Sequence, residues 1–399
     1  MSELTKTLLF CVGAAVLTAA AVVVDPGSST PEIFSDQGEL FFPNFTDPNA
    51  PKAIEVIDYD PETATATPLK VELKDNRWVL PSHNNYPADA SERLASTAAA
   101  LTELHKDVVV SDRVEDHAQY GVVDPLDENN ASLEGRGKRV TLRDEKGDAL
   151  ADFVIGKPVE GKQGFRYMRV PGQRRVYEVK TDVDPSAEFR DWIETDLLKL
   201  ASGDIRRVEI NNYQITEQFG MPVMRPREQL TLTKNEKGDW SLGGRKPKES
   251  AVSALNGALD SLKIVDIVHK PEFLTAELKT KGRIEPSMAA ARELVQRGFY
   301  LSGDGKIYGN EGEEIVDAAN GIRYTLHFGE IASSATARKD PAAEQGESRY
   351  LLIAVSKTKA LDEKTQALYD ELRDRFADWY YVISGADFAA LRPERKDLL

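Results

Sequence analysis

The sequence predicts an α+β protein: a tandem repeat of two related domains, each an antiparallel sheet with a covering helix, behind an N-terminal transmembrane helix. Three observations predict it. Lys70 to Asp112 runs through an alternating strand, a turn, Trp78, a proline-flanked loop, an amphipathic helix and a Val-rich strand. It returns in weaker form where Trp240 leads through Pro247 into a second helix and then Ile264 to Val268. Leu94, Thr97, Leu101 and Leu104 of the first helix stand against Val252, Leu255, Leu259 and Leu262 of the second, an offset of 158 at every position. Thr7 to Val24 holds no charged residue, and at about 1.5 Å per residue the run covers roughly 27 Å, close to the ~30 Å of a bilayer core.

The apolar run reads as a retained membrane anchor, because Val22 to Val24 continue it past Ala19 to Ala21, where a signal peptidase would cut. Lys6 before it and Asp25 after it leave the N-terminus in the cytoplasm and the following chain outside, in the periplasm. Asp25 to Pro51 has linker composition, but Phe34, Phe41, Phe42 and Phe45 are more aromatics than a solvated tether needs, so part of it packs on the first domain.

Ile54, Val56, Val71 and Leu73 then alternate with polar neighbours, and Asp75-Asn76 turns the chain into Trp78-Val-Leu80, a hairpin. After the Pro81 to Pro87 loop, Asp89 or Ser91 caps the first helix. Strands follow at Val108 to Val110, Val140 to Leu142, Phe153 to Ile155, Tyr167 to Val170 and Val176 to Val179. In the second half Ile205, Val208 and Ile210 answer Ile54 and Val56, and Gly329 answers Gly156. Arg349-Tyr-Leu answers Arg166-Tyr-Met, and Phe376-Ala-Asp-Trp379 answers Phe189-Arg-Asp-Trp192. The copies differ at Pro271 to Gly298, an addition with an extra helix over Met288 to Val295, and at Ile331 to Gly346, an insertion of about ten residues. The domain reading is an anchor over residues 1–24, a linker over 25–51, repeat domain 1 over 52–200 and repeat domain 2 over 201–399.

Chemistry is sparse. With 51 basic against 66 acidic residues the net charge is −15, and the longest basic cluster is Arg136 to Arg139, which argues against a nucleic-acid partner. Cys11 is the single cysteine and lies in the apolar run, so no intrachain disulfide and no thiolate metal site can form. The histidines His83, His105, His117, His269 and His327 show no i, i+4 pair, and Asp58-Tyr-Asp60 and Asp144 to Asp148 read as turns rather than calcium loops. Gly303-Asp-Gly-Lys306 reads as a hairpin turn rather than a phosphate loop, and Ser356-Lys-Thr-Lys359 lacks the companion motifs of acylating enzymes. Trp78, Trp192, Trp240 and Trp379 could form a sugar-stacking face, but their recurrence across the halves favours core anchors. No catalytic, cofactor-binding or metal residue is assigned.

Leu40-Phe-Phe-Pro43, Trp78-Val-Leu-Pro81, Pro87-Ala-Asp89, Tyr120-Gly-Val122, Phe153-Val-Ile-Gly-Lys157 and Tyr167 with Val176-Tyr177 together resemble bacterial envelope proteins of domain-of-unknown-function family 4340. The resemblance covers Leu40 to Leu200; the second half replaces Pro81 and the Tyr120-Gly step. It implies a membrane-anchored protein in company with ABC transporters of the gliding-motility type, and it carries no catalytic residues. The functional expectation is a non-enzymatic scaffold or accessory subunit at the outer face of the cytoplasmic membrane, attached through residues 7–24. The alternative is an exported hydrolase or glycan-binding protein with a site between the repeats.

Overall fold

The structure is a computed structural model and describes residues 36–127, 133–219, 221–332 and 347–399. The anchor expected over residues 7–24, Cys11, Phe34 and most of the Ile331 to Gly346 insertion lie outside the described residues. Among the described residues no helix is long and apolar enough to cross a membrane. Two compact units form: one from residues up to Glu72 with Ser91–Ala187, the other from Leu73–Ala90 with Glu188–Leu399.

The first sheet is antiparallel, with strands β1 (Ala53–Asp60), β2 (Thr65–Lys74), β3 (Arg77–Leu80), β4 (Tyr86–Pro87), β5 (Val108–Ser111), β6 (Lys138–Arg143), β7 (Ala149–Pro158), β8 (Phe165–Arg169) and β9 (Val176–Lys180). Their order across the sheet is β4-β3-β2-β1-β6-β7-β8-β9-β5. Val56, Val71, Val140, Leu142 and Phe153 share one face and are fully buried, while Thr141 and Val154 of the opposite face are buried too. Helix α1 (Ser91–Thr102) buries Leu94, Ala98 and Leu101, the stripe read from the sequence. A short helix, α2 (His117–Tyr120), ends at Gly121. In the described part of the linker, Phe41 and Phe45 are buried, and the Phe41 ring lies 5.4 Å from that of Tyr177.

The second sheet holds β10 (Ile205–Gln218), β11 (Met221–Lys234), β12 (Trp240–Leu242), β13 (Asp266–His269), β16 (Glu313–Ala318), β17 (Ile322–Ile331), β18 (Arg349–Lys357) and β19 (Trp379–Ile383). Its order is β12-β11-β10-β16-β17-β18-β19-β13. Strand for strand this is the first order without β4. The registers agree too: Val56 pairs with Val140 where Ile210 pairs with Glu314, and Ile155 with Met168 where Phe328 pairs with Leu351. Helix α3 (Glu249–Asp260) buries Val252, Leu255 and Leu259. Further helices are α4 (Glu272–Lys281), α5 (Met288–Val295), α6 (Glu363–Asp378), α7 (Gly385–Ala390) and α8 (Arg395–Leu398), and a separate hairpin joins β14 (Phe299–Leu301) to β15 (Ile307–Gly309).

Three sequence matches are corrected. Phe189–Trp192 is a 3-10 turn, whereas Phe376 to Trp379 ends α6 and begins β19, the strand whose place in the first sheet belongs to β9. The Tyr120-Gly step does have a counterpart, at Arg297-Gly298. Gly121 and Gly298 both take positive φ, and the backbone beside each crosses closely over a glycine near the end of β7 or β17. A Cβ on Gly156 would meet the Tyr120 carbonyl oxygen at 2.4 Å, and one on Gly329 would meet that of Arg297 at 2.3 Å. Trp78 and Trp240 are only half-buried; the core anchors among the tryptophans are Trp192 and Trp379.

Candidate functional site

A cleft of about 420 Å³ runs along one face of α3 on the second unit, within the size range of small-ligand sites. Four segments wall it. Ser202-Gly203, the 3-10 turn before β10, forms one side, and its Ser202 N–H donates to Asp260 at the far end of α3 at 2.9 Å. The turn Gly238-Asp239 brings Trp240 to the opposite wall, with Lys234 Nζ 5.9 Å from the indole centroid. Lys246-Pro247 closes the end, where Lys246 pairs with Glu249 at 2.8 Å; that bond raises the Lys246 ammonium and lowers the Glu249 carboxyl from their ordinary values.

The floor is α3 itself, through Glu249, Val252, Ser253, Asn256 and Gly257. Positions at i, i+3, i+4, i+7 and i+8 share one helix face, so a single stripe turns toward the cleft. At the 158-residue offset Ser253, Asn256 and Gly257 correspond to Ala95, Ala98 and Ala99 of α1. Asn256 is buried and its Oδ1 has no hydrogen-bond partner, where Ala98 contributes a methyl group to the core. At Gly257 a built Cβ would touch nothing within 4 Å. On the face that lines the cleft, the second helix carries polar and minimal residues where the first carries alanines.

A second polar cluster lies on the sheet of the same unit. Glu313, on β16, accepts from Asn211 Nδ2 at 3.1 Å and from the Tyr213 hydroxyl at 3.4 Å, and its Oε2 stands 3.2 Å from His327 Nδ1. Burial alone would raise the Glu313 carboxyl, but His327, Asn211 and Tyr213 together hold it below its ordinary value. Burial and the adjacent Glu313 carboxylate push the Tyr213 phenol up. The pairing of β16 with β17 sets Glu313 directly opposite His327, which linear spacing of 14 residues does not reveal.

The other residues weighed from the sequence have local roles. His83 stacks on Phe189 at 4.3 Å, and His269 meets Trp379 edge-on at 4.8 Å. The rings of His105 and His117 lie 2.8 Å from the backbone oxygens of Glu103 and Arg174. Asp60 and Asp144 accept N–H groups of their own turns. Gly303 to Gly305 turns β14 into β15, and Lys359 Nζ donates to the Ala319 carbonyl. Among the described residues no group of three or more His, Cys, Asp or Glu is placed to hold a metal ion.

The profile of a family described as a domain of unknown function, DUF4340, matches residues 78–282. The chain belongs to the DUF4340 family. The DUF4340 match begins at Trp78, later than Leu40, and continues past Leu200 through α4. It takes in every residue that lines the α3 cleft and stops before Glu313 and His327. No curated protein and no solved structure matches the chain.

Proposed function

We propose that the chain is a membrane-anchored envelope protein that works by binding, as a non-enzymatic scaffold or accessory subunit of an ABC-transporter-type complex. Its second unit carries the recognition surface. The observation behind this reading is the α3 cleft: Ser253, Asn256 and Gly257 open and polarise a helix face whose counterpart in α1 is Ala95, Ala98 and Ala99. We also read the two units as one folding unit used twice, which the shared strand order supports. Duplication leaves one copy free to keep the core while the other acquires a surface. The uncharged run Thr7 to Val24 supports attachment to the cytoplasmic membrane with the units in the periplasm.

A second reading, that the cleft takes a glycan, is favoured by the half-buried Trp240 on its wall, since an indole face suits a sugar ring. One experiment separates the two. Gly257→Trp fills the cleft without a backbone clash, because Gly257 faces open space on a regular helix. Affinity purification of the full chain from membranes returns envelope proteins, and the Gly257→Trp chain, equally stable, loses them. Unchanged co-purification contradicts the proposal, and saccharide binding abolished by the same substitution transfers the cleft to the second reading.

A further inference from the structure

Strands β10 and β11 are each 14 residues long, yet β16 pairs with β10 only from Ile205 to Asn211. The remaining register, Tyr213 opposite Pro226 out to Gln218 opposite Met221, forms a two-stranded arm of about 20 Å at 3.4 Å per residue. Its base is fixed: the Ile215 N–H donates to the Asn310 carbonyl at 2.8 Å, and Tyr213 and Ile215 are buried. Its end is apolar and bare. Phe219 is 103% exposed, Met221 65% and Met224 42%, with Pro222 and Val223 between the methionines.

Neither packing nor backbone preference accounts for Phe219. It sits at φ +51°, a conformation that disfavours a bulky side chain, and its ring contributes nothing to the core. Met221 and Met224 are three residues apart on one strand and so point to opposite faces. With Phe219 at the turn, apolar side chains stand on both faces of the end, beside the exposed Glu217 and Gln218 of β10, a shape suited to a fluid medium rather than to a one-sided protein groove. Behind it stand Arg225 and Arg227, both exposed, against Glu217 alone near the end. In a chain of net charge −15 this is a local basic collar behind an apolar tip. Basic side chains at headgroup level with aromatic and aliphatic ones below is the pattern of an interfacial membrane contact.

We propose that the tip of the β10–β11 arm, Phe219, Met221 and Met224, inserts into a lipid surface bearing anionic headgroups, with Arg225 and Arg227 at the phosphates. This rests on the anchored reading above, which keeps a bilayer within reach of the chain. It adds a second, reversible attachment that would hold the second unit against the membrane.

The test uses the full chain with Cys11→Ser and Phe219→Cys, carrying an environment-sensitive nitrobenzoxadiazole label at 219, on vesicles of phosphatidylethanolamine and phosphatidylglycerol. A label at Glu236→Cys in the β11–β12 turn is the control. Blue-shifted emission at 219, quenched by spin-labelled lipid and lost with Arg225→Glu and Arg227→Glu, is the expected result, with 236 remaining in water. A label at 219 that reports water on a chain that still sediments with the vesicles overturns the tip and leaves the anchor standing. A chain that stays in the supernatant overturns the anchor reading and the tip with it. A blue shift without lipid quenching overturns insertion and assigns the tip to a protein surface.

Discussion

Glu314 occupies in the second sheet the place of Val140 in the first, opposite Ile210 and Leu326, and both its carboxyl oxygens are buried without a partner. Burial alone raises its carboxyl well above the ordinary 4.5, which favours the protonated form in the folded protein. The sign follows from linkage. The folded state keeps a proton that the unfolded chain releases above about pH 4.5, so this contribution is full below that pH and is lost as pH rises toward the folded value. The slope is at most about 1.4 kcal/mol per pH unit. Glu314→Val should therefore raise stability near neutral pH by about 1–3 kcal/mol and flatten that slope, measured by urea denaturation from pH 5 to 8. A wild-type slope retained in the variant would contradict this. The sequence hid the residue because Glu313 and Glu314 are adjacent, and alternation alone leaves open which one turns inward. Lys270 was hidden for a related reason. It is fully buried and donates to the Phe376 and Trp379 carbonyls at the end of α6, while burial brings its amine down to about 7. A cation at a helix C-terminus is favourable, but the chain partner lies 106 residues away.

The glycine crossing is the element that the two units share most closely. Arg166 donates to the Gly156 carbonyl at 3.0 Å and Arg349 to that of Gly329 at 3.4 Å, so the residues aligned by sequence make the same contact. Gly329→Ala should cost about 1–3 kcal/mol, because its Cβ would fall 2.3 Å from the Arg297 oxygen and 2.8 Å from the Phe299 ring. Thermal unfolding checks it, and a variant as stable as the parent would show that the crossing can shift. Helices α1 and α3 were legible because their buried leucines recur at helical spacing. Helix α6 was not. Only Leu372, Phe376 and Ala377 of its 16 residues are buried, so its apolar stripe is too thin to read, although Asp362 caps it by accepting from Thr365 N at 2.8 Å. That missing helix also explains the false match of Phe376–Trp379 with Phe189–Trp192: α6 fills the β18–β19 connection, which in the first unit is the short turn at Pro171-Gly172.

At the scale of the whole molecule, two sheets of one strand order carry different surfaces. The first keeps alanines along α1; the second has the α3 cleft and the exposed arm. The strand pattern could be read from alternation and spacing, whereas the cleft could not, because its walls come from Ser202, Trp240 and Lys246 as well as the helix and converge only on folding. Whether recognition belongs to the cleft of the second unit is decided by a photo-crosslinking residue placed at Ser253, and at its counterpart Ala95, in the full chain in its native membrane. A discrete adduct is expected from position 253 and none from position 95. Equal adducts from both positions, or none from 253, would contradict it.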